Sequence, residues 1–310
     1  MPGACNSGDV TRFTTTANTV NTVNACDAIG DALAAEAVRA AEAAARECNV
    51  LVEETEDSDT LRDVSALLES VWGRTNEGAP IPSDVMRSLV HAGGCITTAR
   101  DRHRALVGAA VLAPAAEGAY SLIAATSPHQ TSRGLGRALK LHQRAWSLAR
   151  GWRRIEWTFD PLVSRNARFN LSRLGALATI YEQDFYGFMF DEINANDHSD
   201  RLAAVWSLDT TRAILAADGR PTPDSARPEN ATVLSLGPDN QPQLITDGIR
   251  RWCRVPEDIV AIRRQQPELA QQWRLTVRAI FVEAFAEGFT AVGFSRDGWY
   301  ELDQIMKDAQ

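Results

Sequence analysis

The sequence predicts a mixed α/β (α+β) fold, and three observations carry that expectation. The first is the order of elements read from hydrophobic periodicity: strand, two helices, three strands, helix, strand, helix, strand, with an antiparallel run in the first half. The second is residues 121–157, where an apolar strand leads through Thr131, Ser132, Arg133, Gly134, Leu135, Gly136 and Arg137 into a long amphipathic helix and a second strand. The third is composition: 310 residues, 45% hydrophobic and 23% charged, are enough to bury a sizeable core.

Residues 1–30 are rich in Ser, Thr and Asn and poor in large apolar side chains, so they read as a poorly ordered leader. Residues 31–48 are rich in Ala and Glu and read as a helix on propensity; together 1–48 precede a main domain at 49–210. That domain opens with a strand at 50–52. Asp57 then caps a helix bearing Leu61, Val64, Leu68 and Val71 at helical spacing, ended by Gly73. Ser83 caps a shorter helix to His91, closed by Gly93 and Gly94, and strands are expected at 95–99, 105–112 and 120–125. After the long helix and the strand ending at Asp160 and Pro161, a helix through 166–173 stops at Gly175, and an apolar segment covers 176–181. Residues 211–310 form a second lobe. Its parts are a surface loop at 216–230, short strands at 232–236 and 243–246, a long helix opened by Pro267 and a strand at 291–294.

The balance of charge limits the function classes. A formal net charge of -8 disfavours nucleic acid as a partner, because affinity for the phosphate backbone comes from clustered basic side chains. No apolar run approaches the roughly 20 residues of a membrane-spanning helix, and the start lacks the pattern of a secretory signal. The five cysteines are scattered, with no Cys-x-x-Cys pair, so neither a disulfide framework nor a zinc site is indicated and a cytoplasmic location is expected.

The Gly134 turn carries the first functional suggestion. Glycines at 134 and 136 let backbone N–H groups at a helix start approach an anion, where the helix dipole adds partial positive charge. At 100° per residue, Arg133, Arg137, Lys140 and Arg144 fall on one face of the following helix. Leu135, Ala138, Leu139, His142, Ala145, Trp146 and Ala149 fall on the other. One side is expected to pack and the other to face an anion with more than one phosphate, against the plainer alternative of a solvated basic stripe.

These residues resemble the GCN5-related N-acetyltransferase (GNAT) superfamily, whose corresponding turn reads Arg/Gln-x-x-Gly-x-Gly/Ala; here Thr131 stands in the first position. A closer resemblance, over roughly residues 50–210, is to a predicted acyltransferase branch of that superfamily with a long carboxy-terminal extension. It is carried by Gly134 to Lys140, Gln143, Arg144, Trp157 to Leu162, Asn166 to Asn170, Leu174 to Ala176, Tyr186, Gly187 and Ser199 to Arg201. The resemblance implies a GNAT-like fold with a second α/β lobe and a coenzyme A thioester, acetyl-CoA or another acyl-CoA, as cosubstrate with no metal. The reaction it implies is direct N-acyl transfer to an amino acid or similar small amine. Two departures stand out: Leu171 occupies the place of the family's usual tyrosine acid, and Ser121 is followed by Leu122 rather than His. They keep two alternatives open: a GNAT-fold enzyme that decarboxylates or hydrolyses a thioester, and a non-catalytic acyl-CoA-binding module.

Acyl transfer needs an uncharged amine, a polarised carbonyl and a proton for the leaving thiolate. Asp160, at a strand end, is a candidate to take the ammonium proton or pair with it, or else caps the following helix or holds the loop. Glu156 and Thr158 share its face by the strand period of two. Tyr186 is the candidate acid in place of Leu171. Thr131 to Arg137 would hold the pyrophosphate, and Asn166 and Asn170, four apart on one helix face, the pantetheine amides. Ser121 and Thr158 are expected on the substrate side, where Arg201 would bind a substrate carboxylate unless Asp200 pairs with it. His129, beside Pro128, is noted near the phosphate turn. The second lobe, lacking a Gly-x-Gly turn, is expected to cover the acceptor side or to make a homodimer contact.

Overall fold

The computed structural model describes residues 18–73, 79–127, 134–187, 197–221, 223 and 227–304. Strands β1 (Val50–Glu54), β2 (Cys95–Asp101), β3 (Leu106–Ala115), β4 (Gly118–Thr126), β5 (Arg154–Phe159), β6 (Leu177–Glu182) and β7 (Arg201–Ser207) come from the first two thirds of the chain. β8 (Thr232–Leu236), β9 (Pro242–Thr246), β10 (Arg251–Arg254), β11 (Thr290–Phe294) and β12 (Trp299–Asp303) come from the last. All twelve join one mixed sheet in the order β1-β2-β3-β4-β5-β7-β6-β11-β12-β10-β9-β8. The two parts therefore share a sheet: β11 meets β6 through Ala291 opposite Ala178.

Local chemistry explains most boundaries. α2 (Ser58–Trp72) is capped by Asp57, whose carboxylate accepts from the Thr60 amide at 2.9 Å, and its Leu61, Val64 and Leu68 are fully buried. α3 (Ser83–His91) begins one residue earlier than a Ser83 cap requires, since Pro82 occupies the cap position. α4 (Leu135–Leu148) starts behind Gly134 at φ +108°, a backbone conformation that favours glycine. α6 (Thr211–Ala217) and α7 (Ile259–Gln265) are capped by Thr210 and Asp258, and α8 (Pro267–Ala286) opens on its proline.

Three expectations need correction. The first helix, α1 (Asn18–Glu47), begins well inside the stretch expected to be a disordered leader. The helix expected at 166–173 is a short α5 (Ser164–Ala167) that widens into a π-helical turn, Arg168–Arg173, where the Leu174 amide reaches back five residues to the Phe169 carbonyl. The strands β7, β10 and β12 and the helices α6 and α7 are not among the expected elements. Each is four to seven residues long.

Layers sit on both faces of the sheet. α2 and α3 bury Leu61, Val64, Leu68 and Met86 against Ile96 and Val111 on one face. On the other, α4 packs on the sheet, and α1 lays Ala37, Ala41 and Ala44 into the same core as Leu141, Trp157 and Trp206. That core runs on into the last third of the chain through Trp273, Phe281 and Tyr300. No helix among the described residues is long and apolar enough to cross a membrane.

Candidate active site

The site is set by where β4 and β5 part. They are parallel neighbours, yet only Ala119–Ile155 and Tyr120–Glu156 are paired; beyond them each strand keeps only its outer partner, β4 to β3 and β5 to β7. On β4 the register also shifts, so that Leu122 bulges between the pairs Leu112–Ser121 and Val111–Ile123. Parting strands leave backbone groups unpaired on the two inner edges, which is where an extended ligand can be held by main-chain hydrogen bonds.

The strand period then sorts the side chains. Ile155, Trp157 and Phe159 are buried toward α4, so Glu156 and Thr158 face the other way. On that outer face Tyr120 donates its hydroxyl to Thr158 Oγ1 at 3.5 Å. Burial pushes the Tyr120 phenol above its usual range, with a smaller contribution of the same sign from Tyr186 and Glu156. Glu156 is paired with Arg154. Arg201, opposite the end of β5 because Leu202 pairs with Phe159, lies on the same face, its guanidinium 5.1 Å from the Tyr186 ring centroid. Glu156, Thr158, Arg201 and Tyr186 are thus brought to one face. Tyr120 joins them unexpectedly; its one signal was its position one residue before Ser121.

Asp160 takes a different part. Its carboxylate accepts from Arg274 at 2.9 and 3.0 Å, from Arg263 at 2.5 Å and from the Leu162 amide at 2.9 Å. Burial alone would push this carboxyl up, but the Arg274 and Arg263 guanidiniums more than offset it and hold it well below the ordinary carboxylate range. A group held that firmly in its anionic form is a poor proton acceptor at neutral pH. The same arginines bind Asp197, completing a buried four-residue cluster between β5 and the helices α7 and α8. The alternative Asp200–Arg201 ion pair is not the one formed. Asp200 is held by Arg278 at 2.7 and 2.8 Å and by the Tyr181 hydroxyl, while Arg201 donates to the Asp200 backbone carbonyl.

The phosphate turn is partly outside the described residues: His129, Thr131, Ser132 and Arg133 are among those not described. What is described shows the amino end of α4 between two neighbours. A Cβ at Gly136 would stand 3.9 Å from the Phe169 ring of the π-helical turn, and one at Gly134 would stand 3.2 Å from Cys48 Sγ at the end of α1. Leu135 is buried. Arg137 is committed to the last carbonyls of α6, at Ala216 and Ala217, and lies 3.7 Å from Glu47.

The expected basic stripe is therefore not a solvated face. Arg144 is fully buried, donating to the Leu208 carbonyl and to Glu36 of α1, and Lys140 is buried beside Ser121. Asn170 is buried and Asn166 half-buried, because the π-helical winding breaks the i, i+4 face they would share on an α-helix. Leu171 lies in the core, its carbonyl taken by Arg212. A cavity of about 380 Å³ lies elsewhere, lined by Glu54, Cys95, Trp146 and Arg150 toward the far end of α4. None of the candidate catalytic, cofactor-binding or substrate-binding residues named from the sequence borders it.

No family model and no curated relative matches the chain. Solved structures match about half of it. Among them is a protein described as an acetyltransferase of the GNAT family from Desulfovibrio desulfuricans, 20% identical over 51% of this chain and 99% of that one, with a TM-score of 0.41. A GNAT superfamily phosphinothricin acetyltransferase from Sinorhizobium meliloti, solved with AcCoA, is 17% identical over 51% and 87%, TM-score 0.42. The ribosomal-protein-S18-alanine N-acetyltransferase of Escherichia coli is 12% identical over 52% and 96%, TM-score 0.42. Each of these matches leaves about half of the chain uncovered.

Proposed function

We propose that the protein is an acyl-CoA-dependent N-acyltransferase that moves an acyl group directly from a coenzyme A thioester to a small amine, with an amino acid as the first candidate. The observation that carries this reading is the parting of β4 and β5 after two residue pairs, with α4, led by Gly134, the next helix after β4 in the chain. A pantetheine arm would lie along the freed strand edges with its pyrophosphate toward Gly134 and Gly136, and Asn170 of the π-helical turn beside it.

Chemically, the amine nitrogen attacks the thioester carbonyl carbon, the carbon–sulfur bond breaks, and the thiolate takes a proton. Glu156, on the outer face beside Arg154, would steer a cationic acceptor toward the opening. Tyr120 is positioned across the opening to donate to the leaving sulfur, the part that Tyr186 was expected to play. Tyr186 and Arg201 would line the acceptor side and receive a carboxylate. Asp160 serves to lock the second lobe to the end of β5.

Thiol release from acetyl, succinyl and malonyl thioesters, measured with and without a panel of amino acids, tests the reading. Release that depends on the amine, with the N-acyl product seen by mass spectrometry, is expected. Amine-independent release would replace it with hydrolysis or decarboxylation, a reading favoured by the burial of Leu171 where an acid is usual. Tight binding without release would leave an acyl-CoA-binding module.

A further inference from the structure

We propose that Lys140 is a proton acceptor built into the floor of the β4/β5 opening, taking through the Ser121 hydroxyl the proton that an ammonium acceptor must lose before it attacks. The inference rests on the acyl-transfer reading above. Lys140 projects from α4 so that its Nζ donates to Ser121 Oγ on β4 at 2.8 Å and lies 3.8 Å from the centroid of the Trp157 ring on β5. It therefore bridges the two strands one residue past their last pair, Tyr120–Glu156.

A lysine this buried, 6% exposed, ordinarily has a carboxylate beside it. Among the described residues no carboxylate lies within ion-pair distance of Lys140, and each neighbouring charge is engaged or turned away. On its own helix, Arg137 is held by the end of α6 and by Glu47, and Arg144 by Glu36 of α1 and the Leu208 carbonyl. His142 lies 3.9 Å from Glu54 of β1. β5 turns Glu156 to the outer face, where it meets Arg154, and β4 turns Tyr120 there as well. Burial therefore acts unopposed and pushes the Lys140 ammonium down to about 7.

Side-chain chemistry points the same way. Of the 32 basic residues only Lys140 and Lys307 are lysines, and an arginine cannot give up its charge near neutral pH. Ser121 already links two groups: it accepts from Lys140 and donates to Gln143 Oε1 at 3.0 Å. Swung toward a neutral Nζ, the same hydroxyl passes its proton to Lys140 as it accepts one from the incoming ammonium. The acceptor becomes a free amine, Lys140 becomes the ammonium, and Ser121 is unchanged. After transfer the proton returns to the thiolate or to solvent.

The small lysine count makes the test direct. In a Lys307→Arg background with lysine labelled by ¹⁵N at Nζ, one side-chain signal should titrate near pH 7 rather than near 10.4. The rate of amine-dependent thiol release, followed as kcat/KM against pH, should rise with an inflection in the same range. Lys140→Met, which fills the space with an uncharged chain, should abolish that inflection and lower kcat/KM at neutral pH on the order of 10²-fold. Ser121→Ala should abolish it while leaving the lysine titration in place. A lysine that stays charged above pH 9, an inflection that survives Lys140→Met, or acylation of Lys140 itself in the mass spectrum would each overturn the proposal. Absence of amine-dependent release in the unsubstituted protein would overturn the acyl-transfer reading and this role with it, whatever the lysine titration shows.

Discussion

Arg274 grips both oxygens of Asp160, at 2.9 and 3.0 Å, across 114 positions of sequence, and with the same guanidinium reaches Asp197. This contact ties the end of β5 to α8, in the last third of the chain. Because both partners are buried, the pair gains little over an apolar pair but costs heavily when broken on one side. Arg274→Ala should therefore destabilise the protein by about 3–5 kcal/mol in urea unfolding. Arg274→Lys should recover little of it, since an ammonium cannot replace a two-pronged grip on one carboxylate while bonding a second. Full recovery by lysine would mean that charge alone, without the fork, holds α8 to β5.

The same carboxylate gives the fold an acid limb. With its native affinity for protons held down by Arg274 and Arg263, Asp160 contributes stability that is fully present above its unfolded value of about 3.9 and is lost as pH falls toward the lower native value. Asp200, held down by Arg278 against the opposing effect of burial, acts in the same direction. The melting temperature should fall below about pH 5, and Asp160→Asn, though less stable overall, should show a shallower fall. Parallel curves for the two proteins would show that Asp160 is not linked to acid unfolding.

Gly134 and Gly136 were read from the sequence as one motif, but they predict stability changes of opposite sign. Gly134 has φ +108° and Cys48 Sγ within 3.2 Å of where a Cβ would stand. Gly134→Ala should cost about 1–2 kcal/mol from the left-handed backbone alone. Gly136 lies within α4, and its Cβ would meet only the Phe169 ring at an ordinary 3.9 Å. Gly136→Ala should add about 0.5–1 kcal/mol to stability. Thermal melts of the two variants check both signs. Titration with coenzyme A then shows whether Gly136→Ala, with the fold intact, loses affinity.

These cases show what was legible in the chain. Helix faces and strands of ordinary length could be read locally: Leu61, Val64 and Leu68 repeat at helical spacing, and all three are buried. So could the turn at Gly134. What could not be read is what each face would meet. Arg137, Lys140 and Arg144 share a face by helical spacing, but whether that face is wet depends on α1 and α6 settling over it, and nothing local to α4 encodes their arrival. Asp160 is similar: its place at a strand end is legible, but the arginines that fix its charge lie more than 100 positions away. The π-helical turn at Arg168–Arg173 defeated the i, i+4 rule for Asn166 and Asn170 because that rule assumes an α-helical pitch.

Arg201 offers the sharpest test of the acceptor. It is buried at the start of β7, on the face shared by Thr158 and Tyr186, and burial lowers the affinity of its guanidinium for its proton, so an incoming carboxylate would offset part of the cost of keeping that charge there. A charge-assisted hydrogen bond to a ligand contributes about 1.5–3 kcal/mol, or roughly 10- to 150-fold in affinity. Arg201→Gln should therefore raise KM for an amino-acid acceptor by about that factor while changing kcat little. The matching amine without the carboxylate should bind the original and the substituted protein alike. A melting curve separates this from general damage, because Arg201 also supports the Asp200 carbonyl and a destabilised fold would weaken both acceptors together. Equal losses for the two acceptors in a protein that melts normally would place the carboxylate elsewhere, or remove amino acids from the list of acceptors.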